Sequence, residues 1–546
     1  MRCLHHLLLL FAITVCNVGL AQTPQPEKAV SPDLLAEALH AYRTGNFDDA
    51  ISKYNALIAV DPKSAEAYAG LVRVFIKQDN VEKAAEAASH AIEADPKSNI
   101  AQTAQAELLF RQGKIAEAEP IYVKVINSGE LNARAYWGLS RIRTAISMHK
   151  RAKDLLDRAH SFDPDDPDIQ RSWMSTLKRS ERVKFLEHYL ASPTNDDSQH
   201  RESLDKYLTI LKDRDQHPER RCRLVNKAES TTVPLVRMMT DPTRLYGYGL
   251  AVRINDQHAR LLLDTGAGGL LVRKAIAEKA GIRPIVETKI RGIGDKEGTD
   301  AFAGYADSIR IGDLEFRNCV IEVTQKNLNA GDDGLIGADV FSDYLIGIDF
   351  TAEKLKLTPL PPRPNQPPKS VALSSEGADQ DDEDIAEDCN AKTDTSCGPQ
   401  DRYISPEMKD YTRIYRFGHN LLIPTRVGDI PAKLFLIDTG AFTNAISPSA
   451  AREVTKLHTE PGIKIRGLSG SVNKVMTADK AVLQFGRFSQ ENQELISWDF
   501  SKINKALGTE VSGFLGFATL RMFELKIDYR DGLVDFVFNN ARVYGK

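Results

Sequence analysis

Two short stretches place an aspartate where an apolar run ends in a tight turn: "LLLDTGAGGLLV" (261–272) with Asp264, and "FLIDTGAFTNAI" (435–446) with Asp438. Two carboxyl groups brought into contact share one proton, because like charges at that distance cannot both ionise. The ionised member draws a proton from water, the water attacks a peptide carbonyl, and the protonated member supplies the developing oxygen. Such chemistry needs no metal, no cofactor and no covalent intermediate, and none is expected here. In each turn Thr265 or Thr439 can hydrogen-bond backbone and fix the turn, while Gly266 or Gly440 leaves room for a partner's backbone. A lone Asp-Thr-Gly is often only a turn, since Asp and Gly favour turns anyway. A pair in matching surroundings says more.

The surroundings match in order. The first block continues through "IRGIG" (290–294), "ADSIRIGDLEFRNCVIEV" (306–323), "DGLIGADVF" (333–341) and "LIGIDFTAEKLKL" (345–357). The second continues through "IRGLSG" (465–470), "ADKAVLQFGRF" (478–488), "SGFLGFATL" (512–520) and "ELKIDYRDGLVDFVF" (524–538). Asp264 precedes Gly337 by 73 residues and Asp438 precedes Gly516 by 78. Short β-rich runs with glycine turns make up both blocks, and a turn at Asn255–Asp256 joins the two strands that lead into Asp264. The agreement predicts duplicated all-β lobes over 232–358 and 411–543.

These residues resemble the aspartic peptidases of the retroviral-protease and pepsin type. The resemblance implies that Asp264 and Asp438 are the catalytic pair of an aspartic endopeptidase acting on protein or peptide substrates. It also implies that Thr265, Gly266, Thr439 and Gly440 support the catalytic turns. Leu335, Ile336 and Gly337, with Phe514, Leu515 and Gly516, match the hydrophobic-hydrophobic-Gly segment that braces each turn. Gly292 and Gly294, and Gly467 and Gly470, fall where flap tips would lie. Both turns end in alanine and both blocks are short, which fits two retropepsin-like lobes fused in one chain better than two pepsin lobes. The lobes pair within one molecule, or between two in a dimer. Neither flap carries an obvious tyrosine; Tyr305 is the nearest and reads as a packed strand residue. The alternative is a non-catalytic peptide-binding or scaffold protein using the same lobes.

Ahead of the lobes, residues 30–165 carry a repeat. Asp-Pro recurs at 61–62, 95–96 and 163–164, spacings of one and two 34-residue units, with Gly45 and Gly113 as further punctuation. Small and aromatic residues recur three, four and seven apart, as helix-on-helix packing requires. The pattern predicts an α-helical solenoid resembling tetratricopeptide (TPR) repeats, with 166–231 a helical cap or connector. Its inner face either holds a protein partner or docks the next domain. Residues 359–410, rich first in proline and then in acid, read as a linker. The first 21 residues read as an export signal, with Arg2, an apolar run and small residues ending at Ala21. Export predicts a periplasmic or secreted protein.

Composition sets limits. The chain has 546 residues, 42% apolar and 27% charged, with a formal net charge of -4. That balance gives no reason to expect nucleic acid, and the basic run "HPERRCR" (217–223) reads as solvated surface. No segment after the signal is long and apolar enough to span a bilayer. Of six cysteines, Cys3 and Cys16 leave with the signal; Cys389 and Cys397 could close a small loop, and Cys319 reads as buried. His258 and His458 read as surface or turn residues.

Overall fold

The computed structural model describes residues 32–539 except 226–227, 295–297, 326–331, 365–397, 461, 469 and 473. The first 21 residues, expected to be an export signal, and Cys3, Cys16, Cys389 and Cys397 lie outside the described residues. From Pro32 to Gln216 the chain forms eleven helices, followed by mixed β-sheets. The 34-residue period has a direct local cause in the helix caps. Ser64, Ser98 and Asn132 begin the helices Ala65–Lys77, Asn99–Arg111 and Ala133–Ala145, each accepting a bond from the backbone N–H three residues on. Asn46 and Asn80 do the same for the alternating partners Phe47–Val60 and Val81–Ala94. A close contact also repeats: Gly70 lies flat on the Tyr54 ring and Gly138 on the Tyr122 ring, where a Cβ would come within 2.2 Å of carbon.

The stack closes on itself. Asp168, in the ninth helix Pro167–Met174, accepts a bond from the Tyr42 hydroxyl at 2.8 Å and pairs with Lys77 at 2.5 Å and Arg134 at 3.3 Å. Arg134 is itself buried and also holds Glu107 and Asp166. Tyr42, Lys77, Glu107 and Arg134 come from the first helix of each of four successive pairs, so the face those helices share is filled by the chain's own ninth helix.

Each lobe is built around the same three-strand unit. The strand Gln257–Asp264 runs parallel to Gly334–Gly337 with Asp264 opposite Gly337; Lys433–Asp438 runs parallel to Gly513–Gly516 with Asp438 opposite Gly516. The strands Leu270–Arg273 and Ala445–Ile446 then pack antiparallel on the other edge of the respective glycine strand. The strand Lys433–Asp438 is apolar on both faces for a clear reason. Alternate residues of a strand point to opposite sides. Phe435 and Ile437 enter the core between the lobes, while Leu434 and Leu436 meet Phe110, Ile115, Tyr122 and Val125 of the helical domain.

The two lobes pair within the chain. Their C-terminal hairpins, Tyr344–Asp349 with Lys354–Pro359 and Phe523–Asp528 with Leu533–Phe538, join edge to edge. Across the seam Ile346 faces Ile527 and Ile348 faces Leu525, so equivalent positions exchange places about a pseudo-two-fold axis. Asp531 pins both ends of the linker to the second lobe, accepting from Arg363 at 2.7 Å and from the Tyr403 N–H at 2.9 Å.

The basic run at 217–223 departs from its expected character at its end. Cys222 is buried in a disulfide with Cys319, and Arg223–Leu224 adds a short strand to Leu314–Thr324 of the first lobe. A covalent link thus ties the helical connector to the first lobe across 97 residues of sequence.

Candidate active site

The two Asp-Thr-Gly turns meet across the lobe boundary. Thr265 N–H donates to Thr439 Oγ1 at 3.0 Å, and Thr439 N–H donates to Thr265 Oγ1 at 3.0 Å. Each hydroxyl then donates to the opposite strand, Thr265 to the Ile437 carbonyl at 2.7 Å and Thr439 to the Leu263 carbonyl at 2.8 Å. The threonines therefore lock one lobe to the other rather than each fixing its own turn. All of these groups are buried, and leaving a buried donor or acceptor unmade costs about 1–3 kcal/mol.

The glycines also act differently from expectation. What approaches each is the partner lobe's carboxyl group rather than its backbone. A Cβ on Gly266 would stand 2.9 Å from the Asp438 carboxyl carbon, and one on Gly440 would stand 2.4 Å from that of Asp264. Asp264 and Asp438 are thus side by side. Gly266 N–H donates to Asp264 Oδ1 at 2.8 Å; Gly440 and Ala441 N–H donate to Asp438 Oδ1 at 2.9 and 2.8 Å.

Burial raises the pKa of both carboxyls. The adjacent Asp264 charge pushes Asp438 up further, well above the usual carboxylate range, whereas backbone N–H groups and a bond from Asp438 hold Asp264 lower. The two carboxyls titrate as a pair that shares one proton, with the stronger upward push on Asp438.

The bracing segments sit directly behind the turns. Gly337 N–H donates to the Gly269 carbonyl at 2.8 Å, and Gly516 N–H to Asn444 Oδ1 at 2.9 Å. Ile336 and Leu515 are fully buried between the lobes, Phe514 faces the helical domain, and Leu335 is half-buried beside Leu271. Gly292 and Gly294 follow the strand Val286–Ile290 of one hairpin; Gly467 and Gly470 pair with each other at the end of another. The two hairpins touch: a Cβ on Gly292 would lie 2.9 Å from the Leu468 side chain, and Thr299 Oγ1 donates to the Leu468 carbonyl at 2.8 Å.

Tyr305 lies within the strand Thr299–Ile311 under the Arg220 guanidinium. His258 is exposed, and His458 is an exposed partner of Asp479. Among the described residues no cluster of side chains is arranged to hold a metal ion, and no helix is long and apolar enough to cross a membrane.

One residue near the dyad escaped motif reading. His419, in the turn between Tyr415–Phe417 and Asn420–Val427 of the second lobe, is half-buried with its Nε2 3.1 Å from Asn420 Nδ2, and burial lowers its imidazole pKa. It belongs to no motif. Its only sequence signal is a glycine turn ahead of the strand pair that delivers Asp438.

Paired lobes with crossed Asp-Thr-Gly turns, each braced by a parallel glycine strand, define the architecture of a two-lobed aspartyl protease fold behind a helical repeat domain. A family model described as "Aspartyl protease" matches residues 250–340, within the first lobe, and one described as "Tetratricopeptide repeat" matches 35–99 and 103–167. The chain thus joins an aspartyl protease domain to tetratricopeptide repeats. None of the curated proteins compared with it matches. Among solved structures, "Functional Characterization of Pseudomonas Aeruginosa pilF" aligns at 16% identity over 36% of this chain and 90% of its own, with a TM-score of 0.25. A mutant O-GlcNAc transferase of Thermobaculum terrenum aligns at 20% identity over 26% of this chain and 27% of its own, with a TM-score of 0.22.

Proposed function

We propose that the protein is an aspartic endopeptidase that hydrolyses peptide bonds with a water molecule activated between Asp264 and Asp438. The observation that carries this reading is the crossed pair of turns, which sets one buried carboxyl from each lobe side by side under reciprocal threonine bonds. Asp264, as the anion, takes the proton of the attacking water. Asp438 gives its proton to the carbonyl oxygen as the tetrahedral intermediate forms, and the leaving nitrogen is protonated as that intermediate collapses. The flap hairpins, meeting through Leu468, would cover an extended substrate and exclude bulk water.

Export to the periplasm or beyond belongs to the same proposal. The Cys222–Cys319 bond supports it, since such bonds persist in oxidising compartments. The repeat domain is proposed to contact protein partners through surfaces other than the face filled by its ninth helix. An unstructured protein incubated with the full chain from about pH 3 to about pH 8, with new termini read by mass spectrometry, tests the activity. Internal cuts that survive metal chelators and thiol reagents are expected. No cut at any pH would overturn the reading.

A further inference from the structure

The dyad is built from two lobes of one architecture, yet its rims are not alike. The strand Arg244–Ile254 runs antiparallel to Gln257–Asp264, which sets its Arg244 end beside the Asp264 turn. Four residues past the other carboxyl, Phe442 continues the second lobe's turn. The two side chains meet across the lobe boundary: the Arg244 guanidinium lies over the Phe442 ring, 5.6 Å from its centre.

Phe442 is held in place through its backbone. Ala441 N–H donates to Asp438 Oδ1 at 2.8 Å, and the carbonyls of Ala441 and Phe442 accept from the N–H groups of Phe517 and Ala518 at 2.7 and 2.9 Å. The ring itself is 39% exposed, whereas Phe514 and Phe517 of the same lobe are buried. Arg244 is exposed as well, and no carboxylate among the described residues forms an ion pair with its guanidinium. The carboxylate of Asp241 is taken up by the turn, accepting from Thr243 N–H, Thr243 Oγ1 and Arg244 N–H at 2.9, 2.7 and 3.0 Å. A guanidinium carried on an aromatic face keeps its in-plane N–H donors, and those donors match a carboxylate with two parallel bonds.

The opposite rim has neither group. Four residues past Asp264 stands Gly268. Leu262 and Leu436 each stand two residues before their aspartate and pair with Gly249 and Leu422 respectively. Counting back five residues from those partners gives Arg244 in the first lobe and Phe417 in the second. Phe417 turns to the helical domain, its ring 6.1 Å from that of Phe110.

We propose that Arg244 and Phe442 form a specificity subsite that takes an acidic side chain of the substrate on one side of the scissile bond. The assignment deepens the peptidase reading and rests on the dyad described there. Phe442 supplies an apolar wall and carries the guanidinium, and Arg244 supplies the charge that pairs with a Glu or Asp carboxylate. With no counterpart at the Gly268 rim, the substrate is read in one direction. An extended chain rises about 3.3 Å per residue, which puts the recognised position within about three residues of the cut.

The test offers the full chain an unstructured peptide library in which Glu and Gln occupy each position in turn, with kcat/KM read from the cut products. A preference for Glu over Gln of about tenfold is expected at one position on one side of the cut. Arg244→Gln is expected to remove it, Arg244→Glu to replace it by a preference for lysine, and Phe442→Ala to lower it. No such preference in a parent that cuts, or a Glu-to-Gln ratio unchanged in a folded Arg244→Gln chain, would overturn the proposal. Binding of the same library to an Asp264→Asn chain needs no turnover. Retention of acidic peptides that Arg244→Gln abolishes, in a protein whose parent cuts nothing, would sustain the subsite while sinking the peptidase reading; equal retention of Glu and Gln peptides would sink the subsite.

Discussion

At the scale of single residues, the dyad stores a cost that the fold must offset. Burial and the Asp264 charge raise the Asp438 pKa in the folded chain. Between the unfolded carboxyl value of about 4 and that raised value, the folded state holds the extra proton, so stability falls as pH rises through the window. Asp438→Asn removes the ionisable group. It is expected to melt above the parent at pH near 7, with the gap closing as pH falls below about 4; calorimetry across that range would check it. Gly440→Ala probes geometry instead. Its methyl group would sit 2.4 Å from the Asp264 carboxyl carbon, so one turn must move. A misplacement of about 1 Å costs on the order of 100-fold in rate, and kcat should fall by at least that much. The positions of Asp264, Asp438 and their glycines were legible because an aspartate closing an apolar strand repeats with the same downstream spacing. The partners of Thr265 and Thr439 were not, since bonds between lobes 174 residues apart leave no local pattern.

Among the elements, the most exacting constraint is the attachment of the helical connector to the first lobe. The Cys222–Cys319 bond spans 97 residues, which on a chain-entropy account is worth about 4–5 kcal/mol. A Cys222→Ala, Cys319→Ala double variant should unfold at clearly lower denaturant, with hydrogen exchange rising first along Arg223–Leu224 and Leu314–Thr324. Unchanged protection there would show that strand pairing alone holds the junction. Sequence patterning reached the helices and strands themselves, because period and punctuation are local properties. It could not pair Cys222 with Cys319: one sits at the end of a basic run, the other on a strand, and only the folded lobe brings them together. The repeat period was likewise legible from Asp-Pro spacing. That the ninth helix fills the inner face was not, since it depends on how three helices converge on Asp168.

Across the whole molecule, the helical domain is part of the second lobe's packing rather than a separate appendage. Leu422, Leu434, Leu436 and Phe514 of that lobe share one apolar cluster with Phe110, Tyr122 and Leu139, and Thr509 Oγ1 donates to the Phe110 carbonyl at 2.8 Å. A chain starting at residue 228 would expose that face to water, at about 25 cal/mol for each Å² of apolar surface uncovered. It is expected to be poorly soluble, with ordered first-lobe signals and a destabilised second lobe. A soluble truncation with unchanged melting would mean that the lobes are self-sufficient.

The central claim is that one active site draws a carboxyl from each lobe. Asp264→Asn and Asp438→Asn, assayed singly against an unstructured protein at the pH where the parent cuts best, test it most directly. The account predicts that each substitution alone abolishes cleavage while the chain stays folded. Full cleavage retained by either variant would contradict it.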